Sequence, residues 1–144
     1  MIATETATGL IDALRAILRL GRTIHHNHPD ESQSAVAVLT LLDRAGEQRL
    51  GRVACLLAVD PSVISRQVTL LTRDGLVARR PDPHDGRAWL LSLTDAGQAR
   101  LAELQRRHAE LLVTALRTWS EDDATALLTA LRRLTDDVHR AHTP

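Results

Sequence analysis

Apolar residues recur at alternating spacings of four and three along the first part of the chain. They are Leu10, Leu14, Ile17, Gly21 and Ile24. This period predicts an amphipathic helix that ends near His28-Pro29-Asp30, where proline and its polar neighbours interrupt it. A denser apolar pattern from Gln33 to Ala45 predicts a second helix that is buried on more than one side, and Gly46 fits its C-terminal stop.

The segment that follows predicts two shorter helices with a tight turn between them. The first spans about Leu50 to Ala58, and the second runs from Pro61 to about Asp74. Asp60 can accept hydrogen bonds from the free amides of the second of these helices, and proline is favoured at its first position. Gly75 fits a left-handed turn at its end. The side chains expected to face the core are Val53, Ala54, Leu57, Val63, Val68 and Leu71.

Two short strands around a polar tip are predicted next. The strands cover Leu76 to Arg80 and Ala88 to Leu93, and the loop from Pro81 to Gly86 forms the tip. Every second residue of the second strand is large and apolar, which is the period expected when one face of a strand covers a core. These residues are Trp89, Leu91 and Leu93.

Two long helices are predicted for the rest of the chain. Thr94 or Asp95 can cap the first, which extends to about Trp119, and Ser120 with Asp123 resembles a capping box for the last. Both helices carry apolar stripes: Leu101, Leu104, His108, Leu111 and Ala115 in the first, and Ala124, Leu127, Leu131, Leu134 and Val138 in the last. Because a small central unit cannot cover both stripes, we expect a homodimer. Packing of the two helices on each other within one subunit is the alternative.

Composition favours a mostly α fold with a small β part. The chain has 144 residues, enough for one domain, and only 1% of them are aromatic, so a core of Leu, Ala, Val and Ile is expected. An all-β sandwich is disfavoured. The sequence has no apolar run near the roughly 20 residues of a membrane span, and its start does not resemble an export signal. We therefore expect a cytoplasmic protein without a membrane partner.

Positive charge is concentrated locally, although the net charge is zero. Residues 61–90, which hold the second short helix and the hairpin, contain five Arg against three acidic residues. A helix, a tight turn, a second helix and an Arg-bearing hairpin are typical of proteins that read double-stranded DNA. The charge pattern therefore points to duplex DNA as a partner of this segment.

The order of elements and the segment VDPSVISRQVTLLTRDGLVARRPDPHDGRAWLLSLTDAG resemble the MarR family of transcriptional regulators over nearly the whole chain. The most specific parts are Ser62-Val-Ile-Ser-Arg66, Gly75-Leu-Val, and Asp82-Pro83-x-Asp85-x-Arg87 running into Leu93-Thr94-x-x-Gly97. Gly86 departs from the family, which often has a second basic residue there. The resemblance implies one domain over residues 1–144, with a winged helix-turn-helix at 33–93 and dimerisation helices at 1–30 and 94–142. It also implies a homodimeric repressor that binds a palindromic operator.

The second helix of the helix-turn-helix carries the candidates for base reading. Arg66 can pair bidentately with guanine and Gln67 with adenine. Ser62, Ser65 and Thr69 are expected to hold phosphates or to make adaptable contacts. The alternative for Ser62, Gln67 and Thr69 is that each lies on an ordinary solvated face.

The hairpin, or wing, carries the remaining candidates for DNA contact. Arg87 is expected to enter the minor groove, with Asp85 orienting it. Arg79, Arg80 and Arg73 are expected to meet phosphates. An ordinary surface ion pair is the alternative for Asp85 and Arg87.

The signal that controls such a regulator is less evident. By resemblance, small anionic or aromatic molecules bind between the dimer helices and the DNA-reading unit, where Arg15, Arg19 and His26 are candidate anion partners. No metal or other cofactor is predicted, because the ligand set around His25, His26, His28 and His108 is incomplete. The lone cysteine, Cys55, is expected to be incidental.

Enzymatic activity is disfavoured by the motifs present. The sequence contains neither a phosphate-binding glycine loop nor a Ser, His and acid set in a recognisable context. Two alternatives stay open: a helical protein-interaction dimer without DNA binding, and a metal- or redox-responsive regulator. The neutral net charge is compatible with the first of these alternatives, because net charge affects non-specific binding to nucleic acid.

Overall fold

The structure is a computed structural model that describes residues 1–26 and 32–142, with side chains for 1–21 and 32–141. The chain divides into two compact units, Met1–Leu104 and Gln105–Pro144. The predicted end of the first helix at His28-Pro29-Asp30 lies outside the described residues.

The described residues form six helices and three strands, which confirms the mostly α winged-helix class. The helices are α1 (Thr4–His26), α2 (Gln33–Ala45), α3 (Leu50–Leu57), α4 (Pro61–Arg73), α5 (Asp95–Ala115) and α6 (Glu121–His142). The strands are β1 (Gln48–Arg49), β2 (Val77–Asp82) and β3 (Asp85–Leu93). The bounds of α2 are those predicted.

The end of α3 and the start of α4 form the tight turn of the helix-turn-helix. α3 ends one residue earlier than predicted, because Ala58 takes a left-handed conformation with φ of 51°. Asp60 caps α4 as expected, since its carboxylate accepts the Ser62 amide at 2.8 Å. At the other end, Gly75 has φ of 75°, the backbone conformation for which glycine is suited.

The sheet has three antiparallel strands in the order β1-β3-β2, and the sequence pattern did not predict β1. With only two residues, β1 is too short to show a period of two. The predicted wing loop was too long, because β2 extends to Asp82 and β3 begins at Asp85. Pairing continues through Pro81 opposite Trp89, and a register shift follows at the next residue. Proline is tolerated there because β2 is an edge strand.

One apolar core holds α2, α3, α4, α5 and the hairpin together within the first unit. Its buried members include Val38, Leu39, Val53, Ile64, Val68, Leu71, Val77, Leu91, Leu101 and Leu104. On α4, Ile64 is fully buried while Val63 is half-buried, so the expected inward residue was one position off. On β3 the expected core face is only partly correct: Leu91 is fully buried, but Trp89 is 42% exposed.

A close contact joins the start of α5 to the turn after α4. Thr94 caps α5, because its hydroxyl accepts the Gly97 amide at 3.0 Å, and the same hydroxyl donates to the Gly75 carbonyl at 2.7 Å. A Cβ on Gly97 would lie 2.0 Å from the Leu76 carbonyl oxygen. Glycine is therefore required at this position.

In the second unit, α5 ends at Ala115 and not at Trp119. The capping box at the start of α6 is confirmed: the Ser120 hydroxyl accepts the Asp123 amide at 3.1 Å, and the Asp123 carboxylate accepts the Ser120 amide at 3.3 Å. Large apolar residues of the α6 stripe are exposed, namely Leu127, Leu131 and Val138. Leu111 of the α5 stripe is also exposed.

Replacing Gly97 with Ala tests the close contact. We expect the free energy of unfolding to fall by about 1–3 kcal/mol, because the backbone at Leu76 has to move away. Chemical denaturation measures the change. Gly51→Ala is the matched control: no atom lies within 4 Å of the place that a Cβ on this glycine of α3 would take, so stability should stay the same or rise slightly. Equal effects of the two substitutions would contradict the close contact.

Candidate nucleic-acid interface

One side of α4 is polar and exposed, while the opposite side lies in the core. Its exposed residues include Ser62, Ser65, Arg66, Thr69 and Arg73. Five of the six α4 residues predicted for DNA contact therefore lie at the surface, and Gln67 is half-buried. Arg66 forms no ion pair with the residues that the structure describes. Within that part of the chain, the donors of its guanidinium have no acidic partner and can bind a ligand.

The first turn of α4 is organised by Asp60. Its Oδ1 accepts both the amide of Ser62 at 2.8 Å and the hydroxyl of Ser62 at 2.6 Å. These two hydrogen bonds lower the pKa of Asp60 below its usual range. The carboxylate therefore stabilises the fold above the ordinary aspartate pKa, and this contribution is lost as the pH falls through the lowered value. Ser62 thus has an internal partner in addition to any DNA contact.

Two further polar residues of α4 have internal partners. Gln67 Oε1 accepts the Ser32 hydroxyl at 3.1 Å, and Ser32 in turn accepts the Ala35 amide as the N-cap of α2. Thr69 donates its hydroxyl to the carbonyl of Ser65 at 2.9 Å. Gln67 therefore links α4 to the start of α2 through its amide oxygen.

The wing is the β2–β3 hairpin, residues 77–93. Asp85 accepts the backbone amide of Arg87 at 3.1 Å, so it orients Arg87 through the main chain and not through an ion pair. Arg87 is exposed, and its guanidinium forms no ion pair within the described part of the chain. Arg79 lies over the Trp89 ring, 4.5 Å from its centroid, which holds both side chains against the hairpin.

Two other arginines predicted to contact phosphates have acidic neighbours. Arg80 binds Glu47 through two nitrogens, at 2.8 and 2.6 Å. This pairing lowers the pKa of Glu47 and raises that of Arg80, so both groups stay charged over the physiological range. Arg73 lies 3.3 Å from Asp74, its neighbour in sequence. Arg80 in particular is engaged within the protein.

A cleft of about 520 Å³ separates the N-terminal half of α3 from the wing. Its lining residues are Arg49, Leu50, Gly51, Arg52, Cys55, Arg87, Ala88 and Trp89. Sequence reasoning did not assign Arg52, although the first helix of a helix-turn-helix crosses the DNA backbone and its early arginine could have been marked for that reason. The cleft places Arg52 and Arg87 along one positively charged surface.

The residues considered for anion binding lie on α1, and the side chains of some of them are outside the described set. Arg15 is exposed, 3.5 Å from Asp12, and Arg19 is also exposed on α1. The side chains of His25, His26 and His28 are outside the described set. Among the described residues, no group of three His, Cys, Asp or Glu could hold a metal ion. Cys55 differs from these residues, since it is an exposed free thiol in the cleft.

Within the described ranges, no helix alone is long and apolar enough to cross a membrane. The α3–α4 pair meets that test only as two pieces bent by 119°.

Comparison with known proteins agrees with this geometry. The family model described as MarR family matches residues 32–89. An HTH-type transcriptional regulator of Mycobacterium leprae is 32% identical over 77% of this chain and 79% of its own length. The PcaV transcriptional regulator from Streptomyces coelicolor, solved with its natural ligand, is 27% identical with a TM-score of 0.69, covering 94% of this chain and 98% of PcaV.

The crystal structure of MarR has the same fold, with a TM-score of 0.81 at 24% identity over 91% of this chain and 98% of that one. The helix-turn-helix, the wing and the flanking helices therefore have counterparts along both chains. This protein belongs to the MarR family of DNA-binding transcriptional regulators.

Proposed function

We propose that the protein is a homodimeric repressor that binds a palindromic operator and is released by a small-molecule effector. The observation that carries the proposal is the position of two polar surfaces on one core. The exposed side of α4 and the Arg87 hairpin both belong to the unit whose core includes Ile64 and Leu91. A protein with such a unit can contact the major groove and an adjacent minor groove together.

In the proposed complex, α4 lies in the major groove and reads bases chiefly through Arg66, with Gln67 contributing its amide nitrogen. The wing enters the minor groove through Arg87. The Asp85 carboxylate holds the backbone amide of Arg87. Other polar residues of the two elements contact phosphates, as does Arg52 from the cleft. On α4 and the wing these residues are Ser62, Ser65, Thr69, Arg73 and Arg79. These contacts position the protein, whereas the base contacts specify the sequence.

The exposed apolar stripes support the homodimer. Residues 33–93 form the DNA-reading part in this proposal, while residues 1–30 and 94–142 pair with a second copy. The exposed side chains of α6 and of α1 would cost free energy in water if nothing covered them. Two copies related by a twofold axis bind two half-sites about one helical turn apart, so bound protein occludes a promoter.

Release by an effector is supported by the relative PcaV, which was solved with its natural ligand. A ligand shifts DNA binding only if it prefers one spacing of the two α4 helices over another. We propose Arg15, Arg19 and His26 as anion partners for it. Because the target is DNA, we place the protein in the cytoplasm.

The homodimer and its DNA binding are tested with purified protein and the DNA upstream of its own coding region. We expect a sequence-specific shift in an electrophoretic assay and a dimer by sedimentation. A strictly monomeric protein, or one that shifts no fragment at low salt, would overturn the proposal.

The wing contact predicts the effect of Arg87→Ala. Operator affinity should fall, and the slope of log affinity against log salt should decrease by about one for each bound subunit, because a guanidinium near phosphates is lost. Fluorescence anisotropy across a salt series measures both. Arg44→Ala, an exposed arginine at the end of α2, is the control and should leave the slope unchanged. An Arg87→Ala protein with wild-type affinity at every salt concentration would exclude the wing role.

Base reading by Arg66 predicts a loss of specificity. Arg66→Ala should reduce the preference for operator over random DNA by about 1–3 kcal/mol, since a bidentate contact to guanine is removed. Arg73→Ala is the matched comparison, because a phosphate contact weakens binding to both DNAs alike. Competition with random duplex measures the ratio. If the Arg66 variant lost equal affinity for both DNAs, Arg66 would be a phosphate contact.

The dimer predicts that a charge on the α6 stripe separates the subunits. Leu127→Glu should give a monomer by sedimentation and weaken operator binding about a hundredfold or more, because the two half-sites are no longer bound together. Thr129→Glu, on the opposite side of α6, should leave the protein dimeric. A dimeric Leu127→Glu protein would show that this stripe is not the interface.

A further inference from the structure

Two ion pairs connect the short strand β1 to the far edge strand β2. Glu47, directly before β1, holds Arg80 through two contacts of 2.6 and 2.8 Å. Arg49, within β1, holds Asp82 at 2.6 Å from its Nε and 2.5 Å from a terminal nitrogen. Because the strand order is β1-β3-β2, both ion pairs reach across the central strand β3.

The two ion pairs lie beside each other on the sheet. Arg49 and Arg80 are both register partners of Leu90, so their side chains are on the face of β3 opposite the fully buried Leu91. That face is turned away from the core. The core therefore holds one side of the hairpin, and the two ion pairs hold the other side.

Asp82 attaches this arrangement to the tip of the wing. One carboxylate oxygen binds Arg49, and the other accepts the backbone amide of His84 in the turn at 2.8 Å. The Asp82 side chain is 4% exposed, whereas that of Arg49 is 50% exposed. The turn residues Pro83 and His84 are thus connected through a single side chain to β1 and the start of α3. The wing tip has a side-chain anchor outside its own hairpin.

We propose that Glu47, Arg49, Arg80 and Asp82 form a wing brace, a set of positioning residues that fixes where the hairpin presents Arg87 relative to α4. This proposal rests on the proposed DNA binding and deepens it. In this role Arg80 acts through the position of the wing and does not contact a phosphate. Its guanidinium is already paired with the carboxylate of Glu47.

The brace affects DNA affinity more than it affects the free energy of unfolding. Ion pairs with exposed members contribute little to global stability, so the fold does not depend on them. They restrict the hairpin before DNA arrives, and a hairpin held in its binding position loses less conformational freedom on binding. Without the brace, the two-residue strand β1 leaves the outer part of the hairpin paired only with itself.

The direction in which one substitution changes DNA affinity distinguishes positioning of the wing from a phosphate contact by Arg80. Glu47→Gln removes an acidic group near the DNA-binding surface. If Arg80 contacted a phosphate, this change would release Arg80 and strengthen DNA binding. If Glu47 and Arg80 position the wing, the same change weakens binding, and Arg80→Gln weakens it similarly.

The experiment measures operator affinity for Glu47→Gln and Arg80→Gln, each made in the natural sequence and in an Arg87→Ala background. We expect each variant to bind about three- to tenfold more weakly in the natural sequence. In the Arg87→Ala background we expect less than about a twofold effect, because the side chain that the brace positions is already gone. A residue that only supports the fold would weaken binding equally in both backgrounds.

The controls separate charge, folding and function. Asp43→Asn removes an exposed acid on α2 and should leave affinity unchanged. Asp82→Asn keeps an acceptor for His84 but weakens the pairing with Arg49, so it should reproduce the loss while chemical denaturation shows a folded protein. Hydrogen exchange at the amides of residues 85–89 should be faster in Glu47→Gln than in the natural protein.

Three results would overturn the brace: tighter or equal binding by Glu47→Gln, an undiminished effect in the Arg87→Ala background, or unchanged hydrogen exchange of the hairpin. The exchange measurement needs no DNA. If the natural protein bound no DNA, the proposed function would be wrong. Faster hydrogen exchange of the hairpin in Glu47→Gln would still show that the ion pairs restrain the wing.

Discussion

A single apolar core connects the two candidate DNA-binding surfaces. Ile64 and Val68 of α4 and Leu91 of β3 are fully buried members of that core. Close-packed interiors admit few alternative arrangements, so the exposed side of α4 and the strand that leads to Arg87 are held at one separation. A winged regulator needs that constraint, because a helix and a hairpin that moved independently would each bind DNA weakly.

Internal hydrogen bonds then decide which polar side chains are available to a ligand. Arg66 and Arg87 have no ion-pair partner in the described part of the chain, while Gln67 is bonded to Ser32 and Arg80 to Glu47. An arginine with all its donors unused can make a bidentate contact without first losing one. Among arginines that look alike in the sequence, the structure thus separates candidate DNA contacts from candidate positioning residues.

Local signals allowed most of the fold to be predicted from the sequence. The caps at Asp60, Thr94 and Ser120 and the turns at Gly46 and Gly75 depend on neighbouring residues, and each is as expected. The strand β1 and the extension of the wing were not predicted, because two residues show no period and pairing beyond Pro81 depends on the partner strand. The ion pairs of Arg49 and Arg80 join residues 33 positions apart, a separation at which no local pattern indicates contact.

The central claim is that two copies of this chain read duplex DNA with α4 and the wing together. Footprinting of the operator with dimethyl sulfate and hydroxyl radicals tests it most directly. We predict two symmetric half-sites about one helical turn apart, each with protected guanines in the major groove and an adjacent protected minor groove. Protection of one unpaired half-site, or of the major groove without its minor-groove neighbour, would contradict the claim.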